Sequence, residues 1–77
     1  MRVTVTVRPR EGILDPQGEA LRRSLTGLGY AIAGVRAGKV FDLEVEAADE
    51  DDARRIADEI SERVLSNPLI EQYRVGE

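Results

Sequence analysis

Residues 2–8, RVTVTVR, alternate without a break: Val3, Val5 and Val7 point one way, and Arg2, Thr4, Thr6 and Arg8 point the other. Side chains along a strand alternate between faces, so this stretch demands a sheet with one apolar and one polar side. Pro9 lacks an amide hydrogen and ends the pairing. The apolar side must be buried by a second layer. The polar side is read as solvated, although its threonines are good strand residues that an oligomer can cover.

Two helices supply that layer. In DPQGEALRRSLTGLG, Asp15 is an N-cap and Pro16 occupies the first helical position, where no amide hydrogen is needed. Leu21, Leu25 and Leu28, with Ala20 and Ser24 beside them, form one stripe. Gly29 is placed for the left-handed C-terminal cap. Gly18, in the first turn, costs roughly 1 kcal/mol relative to alanine, a cost that close backbone approach would explain.

The second helix, DEDDARRIADEISERVLSNP, starts at Asp49 with acids at its positive end and stops at Asn67-Pro68. Ala53, Ile56, Ala57, Ile60 and Val64 form its apolar stripe. Glu50–Arg54, Asp51–Arg55 and Glu59–Arg63 have the spacing of ion pairs, each contributing about 0.2–0.5 kcal/mol.

Between the helices, YAIAGVRAGKVFDLEVEA reads as two strands. Ala33, Val35 and Ala37 share a face of the first; Phe41, Leu43, Val45 and Ala47 share a face of the second. A turn at Gly38-Lys39 would join them as a hairpin, with Gly34 at a bulge. LIEQYRV reads as a last short strand. The order β-α-β-β-α-β predicts a single domain over residues 1–77, of α+β class. It is a two-layer, ferredoxin-like sandwich with both helices on one face of an antiparallel sheet.

A 77-residue domain buries only about 60% of the surface its unfolded chain exposes. Small domains supplement such a core with disulfides, metal or subunit contacts. The chain has no cysteine and no histidine, which excludes disulfides and argues against zinc. Self-association is the expected supplement. A net charge of −4 argues against nucleic acid and anionic membrane as partners. No signal peptide or bilayer-spanning run is visible, so the expected location is the cytoplasm.

Catalytic constellations are missing. Ser24, Ser61 and Ser66 lie in helical sequence with no histidine to activate them, and Lys39 is the single lysine. Glu50, Asp51 and Asp52 lack calcium-loop spacing and are read as an acidic helix start. EGILDPQG has glycines before a helix, but neither the phosphate-loop nor the dinucleotide spacing. An RNA-binding sheet would need exposed aromatics, and Phe41 alternates with the core. Tyr30 and Tyr73 fit either a core edge or an interface.

Several stretches in order resemble the PurS family, the small subunit of phosphoribosylformylglycinamidine synthase. They are the valine-alternating strand ending in Arg8 and Arg10, then GILDPQGEAL, SLTGLGY, VRAGKVFDLEVE and LSNPLIEQYRV. The likeness covers nearly the whole chain. Ser66 stands where alanine usually precedes the Asn-Pro, and Gln72 where an acid is common before the tyrosine. The resemblance implies a PurS-like fold and a part in de novo purine synthesis. The enzyme converts formylglycinamide ribonucleotide to the formylglycinamidine ribonucleotide with glutamine and ATP. It implies a glutaminase subunit that releases ammonia and a synthetase subunit that uses ATP and magnesium. The small subunit itself is implied to be non-catalytic and cofactor-free, to self-associate as a dimer or pair of dimers, and to bridge the other two while assisting ammonia transfer.

The candidate subunit contacts fall on the shared motifs. They are Asp15, Pro16 and Gly18 at the helix start, Arg36, Gly38 and Lys39 at the turn, and Asn67, Pro68, Glu71 and Tyr73 at the close. A competing expectation is a small-molecule-sensing module of the ACT type, which shares the element order and a glycine after the first strand, here Gly12. Such a module would be stabilised by an amino-acid ligand.

Overall fold

The computed structural model describes residues 1–76. Strand β1 (Arg2–Pro9) is the centre of a three-stranded antiparallel sheet, flanked by β2 (Lys39–Glu44) and β3 (Glu71–Val75). Val3, Val5 and Val7 stand opposite Leu43, Phe41 and Lys39 on one side. On the other side, Val5 and Val7 stand opposite Val75 and Tyr73. The alternation therefore places all three valines on one face, and they are the buried centre of the core.

Helix α2 (Glu50–Ile60) covers that face over β1 and β3. Asp49 caps it, accepting from the Asp52 amide at 2.8 Å. Ala53 and Ala57 are fully buried against the valines, small enough to let the helix sit close to the sheet. Of the expected ion pairs, Glu59–Arg63 forms at 3.5 Å, while Arg55 turns to Asp52 at 2.7 Å. Arg54 reaches instead for the Val75 carbonyl. The helix closes in one π-helical turn, Ser61–Leu65, in which the Ser66 amide donates five residues back to the Ser61 carbonyl. Ser61 is the one buried polar residue among those described, and its hydroxyl donates to the Ala57 carbonyl at 2.7 Å.

Helix α1 (Pro16–Gly27) begins and ends as its sequence dictates. Asp15 accepts from the Gly18 amide at 3.0 Å. At the other end Gly29 has φ +98°. There the Tyr30 amide donates to the Leu25 carbonyl and the Gly29 amide to the Thr26 carbonyl.

The α+β class and the antiparallel sheet agree with the sequence reading; two details differ. No strand forms over residues 30–38, so the expected hairpin across Gly38-Lys39 is absent, and Lys39–Glu44 pairs with β1 alone. The reason is local: the stretch is led back past the start of α1, where the Ala37 amide donates to Asp15 and the Val35 carbonyl abuts Gly18. The second difference is that α1 stands away from the sheet. Its Leu21 and Leu28 are exposed rather than packed in the core. The molecule measures 51 × 23 × 14 Å, with a radius of gyration of 15.6 Å. A compact chain of this length would have about 11–12 Å. Helix α1 and residues 28–38 form an arm attached to a thin body.

Candidate functional site

The arm joins the body at an open cleft of about 330 Å³. Its walls come from three separate stretches: Ile13 to Gln17, Ala37 to Lys39, and Ile70 with Glu71, with Pro9 at the end of β1. Five of the ten candidate contact residues therefore meet here: Asp15, Pro16, Gly38, Lys39 and Glu71.

Asp15 is the knot of the site. One carboxylate oxygen accepts from the Gly18 amide at 3.0 Å, and the other accepts from the Ala37 amide at 2.8 Å. The same side chain thus caps the helix and fastens the returning stretch to it. The Gly18 amide, then the Ala37 amide, and then the charge of Arg36 hold its carboxyl below the ordinary aspartate value. A carboxyl so depressed stabilises the fold above its unfolded value near 3.8, and that stabilisation is lost as pH falls through the folded value. Asp15→Ala is therefore expected to melt several degrees lower than the wild type at neutral pH. The gap should close below pH 3.8, as followed by far-ultraviolet circular dichroism. A gap that is constant down to low pH would show that the charge of Asp15 contributes nothing.

Gly18 lies buried beneath this knot. A Cβ built on it would fall 2.2 Å from the Val35 carbonyl oxygen and 2.5 Å from the Asp15 carboxylate. The close approach that explains this glycine comes from its own chain. Gly38 is similar, since a Cβ there would lie 2.6 Å from the Val7 carbonyl.

Arg36 clamps the loop after β1, pairing with Glu11 at 3.1 Å and donating to the Pro9 carbonyl. Across the cleft, Arg10 donates from its side chain to the Pro68 carbonyl at 2.9 Å and from its backbone to the Ile70 carbonyl at 2.9 Å. The Asn67-Pro68 turn is fixed in its turn by Glu71, whose carboxylate accepts from the Asn67 amide at 2.7 Å. Tyr73 is not part of the cleft. It spans from β3 to α2, where its hydroxyl donates to Asp58 at 2.9 Å. That bond, and then burial, raise its pKa.

The rim also holds residues that the motif reading did not single out. Ile13, Leu14, Leu69 and Ile70 are exposed on either side of the cleft, Leu14 at 78% and Leu69 at 84%. The available signal was an apolar pair in each of two connecting loops. Connecting loops carry binding residues more often than core residues do. Among the described residues no group of three or more potential metal-ligating side chains occurs. No helix among them is long and apolar enough to cross a membrane. The cleft is shallow, held rigid by backbone-directed hydrogen bonds and edged with aliphatic side chains.

Comparison with known proteins accounts for the convergence of these motifs. The family model for PurS, phosphoribosylformylglycinamidine (FGAM) synthase, matches residues 2–76. The chain is 36% identical over 76 residues to the phosphoribosylformylglycinamidine synthase subunit PurS of Archaeoglobus fulgidus, covering 97% of this chain and 95% of that one. It also resembles the crystal structure of PurS from Methanocaldococcus jannaschii, one of the subunits of formylglycinamide ribonucleotide amidotransferase in the purine biosynthetic pathway. The TM-score is 0.84 at 28% identity, over 96% of this chain and 90% of that one. The structure of PurLQS from Thermotoga maritima contains a chain that matches with a TM-score of 0.85 at 35% identity, over 96% and 92% of the two chains.

Proposed function

We propose, from the premise that this chain belongs to the PurS family of phosphoribosylformylglycinamidine synthase subunits in purine biosynthesis, that it serves the enzyme without a catalytic site of its own. It bridges the glutaminase and ATP-dependent synthetase subunits and assists the passage of ammonia between them. ATP and magnesium belong to the synthetase partner, and the complex works in the cytoplasm. The chain itself is a homo-oligomer, a dimer or a pair of such dimers. The bridging contacts are drawn from Asp15, Pro16, Arg36, Lys39, Asn67, Pro68, Glu71 and Tyr73, with Gly18 and Gly38 shaping the backbone beneath them.

One observation carries this reading: residues far apart in sequence meet in a cleft whose rim is aliphatic and whose carboxylates, Asp15 and Glu71, are spent on holding the backbone. A site built that way recognises a surface. Nucleophilic chemistry needs a base beside a nucleophile; the walls of this cleft hold no histidine, serine or cysteine, and their two carboxylates, Asp15 and Glu71, accept from backbone amides. The Thermotoga maritima PurLQS structure supports the assembly, since a chain of this fold occurs there.

The test is gel filtration with mass measurement of this chain, alone and mixed with the glutaminase and synthetase chains, with glutamine and ATP present. A homo-oligomer that joins both chains in one peak is expected. Leu14→Asp, on the exposed rim, should weaken joining by about tenfold or more while leaving the circular dichroism spectrum unchanged. A wild-type chain that elutes apart from both partners would overturn the bridging role.

A further inference from the structure

The outer face of the sheet turns away from α2. Thr4, Thr6 and Arg8 point there from β1, opposite to the buried valines. The register places Val40 of β2 and Arg74 of β3 on either side of Thr6, and Gln72 of β3 beside Arg8. Arg8 and Arg74 are therefore diagonal neighbours on adjacent strands, about 7–8 Å apart. Two open hollows, of about 330 and 290 Å³, share Thr6 and Arg8 as a common wall. Their linings hold four cations, Arg8, Arg36, Lys39 and Arg74, and no carboxylate. The chain as a whole has a net charge of −4, so this basic face runs against its composition.

The cations of this face also differ from the others in what they bond. Arg2, Arg22, Arg23, Arg36, Arg55 and Arg63 pair with carboxylates. Arg10 and Arg54 donate to backbone carbonyls. Among the described residues, Arg8, Lys39 and Arg74 take part in none of the ion pairs or side-chain hydrogen bonds, and all three line the two hollows. The carboxylates of the same face are engaged toward the start of β1, where Glu44 pairs with Arg2 and Asp42 accepts from the Thr4 hydroxyl.

Neighbouring guanidinium groups repel each other, and each keeps a planar donor fork that fits a carboxylate through two parallel hydrogen bonds. The Thr6 hydroxyl and the Gln72 amide add donors beside them, and Val40, 65% exposed, adds apolar contact. Gly38 makes room for the Arg8 stem, since a Cβ there would lie 3.2 Å from the Arg8 Cγ. A small-molecule site encloses about 70–90% of its ligand, whereas these hollows are open and lie side by side along the strands. They suit an extended protein surface. Gly38 and Lys39 line both the outer hollow and the cleft, so the basic face continues the cleft around the edge of the sheet.

We propose that the outer face at Thr6, Arg8 and Arg74 docks a carboxylate-rich surface of one partner chain of the assembly. The incoming carboxylates neutralise the two guanidinium groups, and Val40 and the arginine stems supply the apolar part of the contact. This inference rests on the bridging reading above and gives the chemistry of one of its contacts.

Arg8 and Arg74 are exposed, so Arg8→Glu with Arg74→Glu should leave the circular dichroism spectrum unchanged. Association with the glutaminase chain and with the synthetase chain is followed separately by surface plasmon resonance. The salt is raised to about 1 M, where charges are screened beyond about 3 Å. With one of the two chains, wild type should associate about tenfold or more faster at low salt than at high salt. The double-glutamate variant should lose that advantage and show almost no salt dependence. Arg8→Gln with Arg74→Gln should fall between the two. A double-glutamate variant that joins both chains as wild type does would overturn the acidic docking face while leaving the bridging role standing. A variant that alters only self-association would overturn it in favour of a second copy as the occupant. Salt-insensitive joining by wild type, with inorganic phosphate shifting the Thr6 and Arg74 amide resonances, would overturn it in favour of a small anion. A wild-type chain that joins neither partner would overturn both this docking face and the bridging role.

Discussion

Omitting this chain from a mixture of the glutaminase and synthetase chains is expected to cut glutamine-supported turnover by about a hundredfold or more. Turnover with added ammonium salt should fall far less. The physical basis is the fate of ammonia. In water near neutral pH it is mostly protonated, and the ammonium ion is no nucleophile. A bridge that holds the producing and consuming sites together shortens the path and excludes water, so the nitrogen arrives before it is protonated or diluted. External ammonium at high concentration bypasses the need for proximity, which is why the two nitrogen sources separate bridging from chemistry. Product formation should be followed with each source in parallel, with and without this chain. Equal losses with both sources would sink the transfer role and point instead to an effect on the synthetase itself.

Gly18→Val is expected to have the largest effect of any single substitution in the arm. The added Cβ would lie 2.2 Å from a backbone oxygen, that of Val35, and a backbone atom has no rotamer by which to move aside. Overpacking of this kind typically costs about 1–3 kcal/mol, and contact with main chain places this case toward the upper end. The damage is specific in location. The Asp15 carboxylate is also in the way, so the variant loses the N-cap and the Ala37 tether together. Amide hydrogen exchange should therefore accelerate across α1 and residues 31–37, while the β1 amides within the valine core stay protected. Uniform loss of protection over both regions would mean that arm and body are a single cooperative unit. Unchanged exchange in α1 would refute the close approach.

How much of this was legible in the sequence differs from element to element. Strand β1 was legible to the residue, because a period of two with three valines on one side admits no other burial. Both helix starts were legible too, since Asp15 and Asp49 act on amides only three residues away. The same holds for Gly29, whose left-handed conformation answers to the turn just before it. The candidate contact residues were found through motif likeness, but what joins them was not. Glu71 and Lys39 are brought to one cleft by the sheet, although they are distant in sequence. Tyr73 shares a face of β3 with Glu71, but it stands opposite Val7 and bonds Asp58 of the overlying α2, whereas Glu71, opposite Pro9 at the start of the strand, lines the cleft.

The stretch from Tyr30 to Gly38 shows where sequence reading stopped. Alternating apolar residues and a Gly-Lys step suit a strand beside a turn, yet residues 30–38 enter no ladder among the described residues. They do not specify a partner. Strand pairing is a contract between two segments, and the hydrogen-bonding capacity of an edge is the same whether its neighbour lies in the same chain or another.

By itself the sequence determined the local conformations, the inward face of β1, the helix caps and the lack of thiol or imidazole chemistry. Those follow from forces that act over one to four residues or from side chains that are simply missing. Only the tertiary structure decided that α1 leaves the sheet. That outcome turns on contacts between residues seventeen or more positions apart, Gly18 against Val35 and Asp15 on Ala37, which aim a rigid helix outward. An apolar stripe records that a helix must be covered; the direction in which the chain is led determines by what.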